Sequence, residues 1–231
     1  MTTSIEPAAE TPSFGPELFA FLAELREHND RDWFAANKER YEADVLEPAL
    51  AFIEDFGYRL QSISPHFRAD PRRSGGSLFR IHRDTRFSKD KSPYKTTAGI
   101  YFKHERAKEL RAPGYYLHLA PGEVFAGGGI WHPDTATANR IRDAIAADPD
   151  GWRAATEKIA MGRGDALKRV PSGFDKDHPL AEDLKRKDFA AITRMSEKDA
   201  VAPRFLERYA VACEEMAPLM RFLCGAVGVP F

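Results

Sequence analysis

Tyr115-Tyr-Leu-His-Leu-Ala-Pro-Gly-Glu-Val-Phe-Ala-Gly-Gly-Gly-Ile-Trp131 is the stretch that decides the fold. Two apolar and aromatic runs, 115–120 and 124–131, flank Pro121-Gly122. Such a turn pair between two runs predicts an antiparallel hairpin. Just upstream, 98–104 predicts a further strand. Before it, 79–87 alternates: Phe79, Ile81, Arg83, Thr85 and Phe87 fall on one face, and Arg80, His82, Asp84 and Arg86 on the other. Gly127-Gly128-Gly129 lies inside the last strand. It predicts a bulge or, failing that, close approach of another group to the backbone. The P-loop's Lys-Ser/Thr and its helix are absent here.

On both sides of this run the period becomes helical. Pro16 suits a first helical position, and Leu18, Leu22 and Leu25 recur at helical spacing after it. His28-Asn-Asp-Arg31 breaks that helix, and Asn29 or Asp30 can cap the next. The next helix carries Trp33, Asn37, Tyr41 and Val45 on one row, where Asn37 reads as an amide tying helix to sheet. Pro48 restarts or kinks it before Phe52, Phe56 and Leu60. After the strands, Asp134 caps a helix, 152–160 forms another, and Pro203 opens a last one. Residues 170–187 read as a loop, with a capped turn at Asp177-His178-Pro179. Helices, then strands, then helices make an α+β fold: an antiparallel sheet of four or more strands, flanked by helices from the N- and C-terminal parts of the chain. Residues 1–12 read as a flexible tail and 13–231 as one domain.

The 231 residues carry a formal net charge of −1, which argues against a general nucleic-acid coat. The charge is uneven, however. Between Phe67 and Lys95 nine cations face three carboxylates, a local surplus of six. Cys213 and Cys224 fall eleven residues apart in one predicted helix, about 16 Å at ~1.5 Å per residue, too far for a disulfide. Reduced thiols and the lack of a signal-peptide pattern point to the cytoplasm, and no run is long enough to span a membrane.

Three segments together resemble a mainly bacterial family known as domain of unknown function 2461. They are Phe21-Leu-Ala-Glu-Leu-Arg-Glu-His-Asn-Asp-Arg-Asp-Trp-Phe-Ala-Ala-Asn-Lys-Glu-Arg-Tyr41, Phe79-Arg-Ile-His-Arg-Asp-Thr-Arg-Phe-Ser-Lys-Asp-Lys-Ser-Pro-Tyr-Lys95 and Gly173-Phe-Asp-Lys-Asp-His-Pro179. His28 departs from the Asn-Asn-Arg pattern at the helix junction. The resemblance implies one domain over most of the chain and implies no activity.

Function must come from the residues themselves. Two guanidiniums, Arg80 and Arg86, are set to converge on one oxyanion, with Lys89, Lys91 and Lys95 following in the loop. The expectation is a phosphorylated or other anionic small ligand held by Arg80, Arg86, Lys89, Lys91 and Lys95. If the protein acts on that ligand, Asp84 or His82 is the acid–base group. Arg83 points with the apolar residues and needs a carboxylate, for which Asp32, Glu39 and Asp177 are candidates. Two alternatives stay open: an ion-paired face with no ligand, and a nucleic-acid module with Tyr94 or Trp131 stacking on bases. The histidines and aspartates His82, Asp84, His118, His132 and Asp134 match no metal motif, and no cofactor is expected.

Overall fold

The computed structural model describes residues 12–162 and 164–231. The predicted tail therefore lies, except for Pro12, outside the described residues. Helix α1 (Pro16–Glu27) starts at Pro16 and buries Leu18, Phe21, Leu22 and Leu25. The chain breaks at His28, and Asp30 is the residue that caps α2 (Arg31–Ala36), accepting the Trp33 N–H at 2.8 Å. Helix α3 (Lys38–Tyr41) passes through a π-helical turn (Glu42–Leu46) into α4 (Glu47–Ile63). Pro48 stands in the first turn of α4, directly after the π-helical turn, where its missing N–H leaves this continuous helix one bond short. Asn37 does not reach the sheet. Its amide donates to the Trp33 carbonyl at 2.9 Å and its oxygen accepts from Arg40.

Strands β1 (Ala98–Lys103), β2 (Gly114–Ala120) and β3 (Glu123–Ile130) pair antiparallel, with the β2–β3 turn at Pro121-Gly122. Gly122 has φ 83°, a left-handed value that only glycine adopts readily. A fourth strand, β4 (Phe189–Met195), pairs antiparallel with β3, and the sheet order is β1-β2-β3-β4.

Two local expectations fail. The segment 79–87 is not a strand, since among the described residues it makes one isolated bridge, His82–Tyr94, with another just before it at Leu78–Ile100. It leaves the edge of β1 after Phe79 donates to Gly99. Its return partner contains Pro93, which has no N–H to extend a ladder. Ile81 is buried, but Phe87, on the same predicted face, is 95% exposed. The triple glycine is not a bulge either, because pairing runs unbroken through Tyr116–Gly127, Tyr115–Gly128 and Gly114–Gly129. The alternative holds: other groups come close. A Cβ on Gly128 would sit 2.9 Å from the Met216 sulfur.

After β3, Asp134 caps α5 (Thr135–Ala147) by accepting the Thr137 N–H at 2.8 Å, and α6 (Pro149–Thr156) follows. Short helices α7 (Ala181–Leu184) and α8 (Glu197–Ala200) flank β4. The long α9 (Phe205–Val227) buries Phe205, Tyr209, Cys213, Met216, Met220 and Leu223, and both of its cysteines are free. Helices α4 and α9 cover one face of the sheet. There Phe56 lies 4.9 Å from Phe102 of β1 and 4.8 Å from Tyr209 of α9, ring to ring. Burying one such ring contributes roughly 1.5–3 kcal/mol. Helices α5 and α6 pack behind α9, with Trp152 against Phe222. The opposite sheet face carries Tyr101, Tyr116, His118 and Phe125. No helix among the described residues is long and apolar enough to cross a membrane.

Candidate functional site

Much of the charged segment is neutralised within itself. Arg86 grips Asp84 with two hydrogen bonds, 2.9 and 2.7 Å, and holds that carboxyl below its ordinary range. Both side chains lie in solvent, where such a pair contributes little. Lys91 donates to the Thr85 carbonyl at 2.9 Å. Lys89 is exposed and makes no ion pair among the described residues. The His82 ring packs edge-on to Phe34 and leans on Tyr94. Arg80, His82, Asp84 and Arg86 therefore do not share a sheet face, and two of the four are spent on each other.

A different subset comes together. Arg83 N–H donates to Pro93 and Lys95 N–H to Ile81, each at 2.8 Å, so 81–83 and 93–95 run side by side. Asn29, just past α1, fixes this pair from below. Its amide donates to the Tyr94 carbonyl at 3.1 Å and its oxygen accepts the Tyr94 N–H at 3.0 Å. The Tyr94 ring stacks on Phe34 with centroids 4.1 Å apart. At 7% exposure Tyr94 cannot stack on a base, which removes it from the nucleic-acid reading.

Between α1 and this loop lies a polar cleft of about 380 Å³. Its lining includes Arg26, Arg83 and Lys95, one carboxylate (Asp90) and the hydroxyls of Ser92, Thr96 and Thr97. Arg83 finds its partner in Asp90, not in Asp32, Glu39 or Asp177. Asp90 also accepts from Ser92 Oγ at 2.6 Å, and Ser92 and Arg83 together drive its carboxyl far below the usual range. Lys95 has no such partner among the described residues. Its ammonium donates to the Arg80 carbonyl at 2.9 Å and sits 5.3 Å from the centre of the Phe79 ring. Burial, and then the charge of Arg80, push its pKa down. Among the described residues Arg26 reaches only Glu27, at 3.8 Å. The lining thus holds more positive charge than its own carboxylate offsets.

Of the residues lining this cleft, the sequence singles out Lys95 as a candidate ligand, Arg83 as a cation in need of a carboxylate and Asn29 as a candidate cap; Arg26 carries no signal, because it looks like an ordinary last-turn cation. The remaining candidates are local. Asp175 accepts the Asp177 N–H and His178 Nδ1 accepts the Leu180 N–H, so that stretch is the capped turn it resembles. His132 lies beyond β3 at φ 48°, bound through its N–H (2.6 Å) and Nδ1 (3.2 Å) to the buried Asp188, and not beside His118. Among the described residues no three His, Cys, Asp or Glu side chains are grouped to hold a metal ion.

A scan of family models matches residues 17–222 to a family described as conserved hypothetical protein (DUF2461). No curated protein matches the chain.

Proposed function

The chain belongs to the DUF2461 family, and we propose that it binds a small anionic ligand, a phosphate ester or a carboxylate, in the cleft between α1 and the 83–97 loop. The observation that carries this reading is the make-up of the open polar cleft, whose lining has three cationic residues, Arg26, Arg83 and Lys95, and one carboxylate, Asp90. An oxyanion there would offset all three cations, and Arg83 has N–H donors to spare beyond the one it gives Asp90. Ser92, Thr96 and Thr97 supply neutral donors around it. Neither His82 nor Asp84 lines the cleft, so the proposal is one of binding, not of acid–base chemistry.

Thermal melts with inorganic phosphate, a sugar phosphate and citrate test it. A ligand at a hundred times its Kd adds about 2.7 kcal/mol, or roughly 5–11 °C in a chain of this size. The double variant Arg83→Met, Lys95→Met should fold and lose the shift. Asp90→Asn should enlarge it by removing the competing carboxylate. No shift from any of the three probes, or one that survives the double variant, refutes the proposal.

A further inference from the structure

The sheet face opposite α9 encloses a second cavity, of about 500 Å³. Its walls are aromatic: Tyr101, Tyr116 and Phe125 from the strands, with Phe79 beside them. Its floor includes residues with little or no side chain, Gly114, Gly127, Gly129 and Ala190, with Ile192 beside Gly127. The His118 ring stacks on Phe125 (4.6 Å, 8° between planes) and its Nδ1 lies 3.0 Å from the Tyr116 hydroxyl, while Nε2 makes no hydrogen bond among the described residues and lies 3.6 Å from a Glu123 carboxylate oxygen. Half-exposed Trp131 and exposed Arg111 also line the space.

Gly127 gives this cavity its meaning. Gly128 is required because a Cβ would strike the Met216 sulfur. Gly129 is required because its φ is 140° and a Cβ would strike the backbone of β4. Neither reason applies to Gly127: the nearest atoms to a Cβ would be 3.7 and 3.8 Å away, and its φ is not left-handed. Glycine inside a strand costs roughly 0.5–1 kcal/mol relative to alanine. What its absent side chain provides is the open floor. The ligand charge follows from Arg111, which lines the space, makes no hydrogen bond or ion pair among the described residues, and whose field reaches the Tyr101 hydroxyl and, more distantly, the Asp134 carboxyl.

We propose that this chamber binds a flat aromatic molecule carrying one negative charge, its ring over Gly127 between the aromatic walls and its acid group on Arg111. The volume suits a small ligand, since such sites span about 300–1,000 Å³ and are mostly apolar with a few placed polar groups. An aromatic ring gains from edge or offset contact with Tyr116 and Phe125, and an acid group meets a guanidinium free to bind it at two points. The site is distinct from the polar cleft and does not rest on it.

Calorimetric titration of the full chain with 2-naphthoate, and with the neutral 2-naphthamide, tests the proposal. The parent should bind 2-naphthoate at one site. Gly127→Leu, which fills the floor, should weaken both probes at least tenfold. Arg111→Met, a change on an exposed side chain that leaves folding alone, should weaken 2-naphthoate at least tenfold and 2-naphthamide hardly at all. Saturating phosphate and the Arg83→Met variant, a change confined to the polar cleft, should leave both affinities unchanged. Absence of 2-naphthoate binding at millimolar concentration overturns the proposal. So does affinity indifferent to Arg111→Met, or competition by phosphate, which would place the aromatic acid in the polar cleft instead.

Discussion

Gly129→Ala should be among the most damaging single-methyl additions in this chain. Gly129 pairs with Gly114 on one side and Ala190 on the other, at φ 140°. A Cβ there would lie 2.5 Å from the Ala190 Cα and nearer still to the Phe189 carbonyl oxygen. Both atoms are backbone of β4, so no side chain can swing aside, and relief requires β3 and β4 to part. Strain from the unfavourable φ costs about 1–3 kcal/mol and overpacking about as much again, so a loss near 4 kcal/mol is expected. For a chain of this length that is a fall in Tm of roughly 8–16 °C. Gly127→Ala, two residues earlier on the same strand, meets nothing closer than 3.7 Å and should be neutral, or stabilising by up to about 1 kcal/mol. Urea unfolding followed by far-UV circular dichroism, with calorimetry for Tm, compares the two. If Gly129→Ala lies within about 1 kcal/mol of the parent, or Gly127→Ala falls as far as Gly129→Ala, the register and backbone geometry argued for β3 and β4 are wrong.

Asn29→Ala strands both backbone groups of the buried Tyr94 and should cost about 2–3 kcal/mol in chemical denaturation; a loss under about 0.5 kcal/mol would count against the Asn29–Tyr94 tie. His104 is buried with Nδ1 accepting the Arg106 N–H and Nε2 donating to Pro230, and burial pushes its pKa below 6.5. The unfolded chain therefore binds that proton first. Its contribution is complete above pH 6.5 and lost as pH falls towards the lowered folded value, so urea midpoints should drop between pH 7 and 5, and the His104 ring in NMR should titrate below free histidine. Labelled DNA and RNA oligomers should show no submicromolar binding by anisotropy at physiological salt. Tight binding with a log–log salt slope near −0.7 per phosphate contact, lost on changing Lys89, Lys91 and Lys95 to alanine, would instead make the loop a nucleic-acid surface.

Local chemistry alone determined the features whose causes are adjacent in the chain. Pro16 starts α1, Asp30 and Asp134 cap α2 and α5, and Pro121-Gly122 turns β2 into β3, because each depends on a backbone conformation or a hydrogen bond within a few residues. The order of these elements was then enough for the α+β class. The tertiary structure decided whatever depended on a partner far along the chain. Segment 79–87 alternates like a strand yet makes one isolated bridge among the described residues, whereas Phe189-Ala-Ala-Ile-Thr-Arg-Met195 alternates poorly and becomes β4 because β3 offers it a full ladder. The charged cluster divides in the same way. Its location near Lys95 is readable as a density of cations, but which cations remain uncompensated depends on Asp84 folding back on Arg86, on Asp90 taking Arg83, and on Arg26 arriving from α1. Alternation records which faces a segment could bury and composition records how much charge it carries. Pairing and pockets are set by what the folded chain brings opposite, and a strand's hydrogen-bond partner leaves no mark on the strand itself.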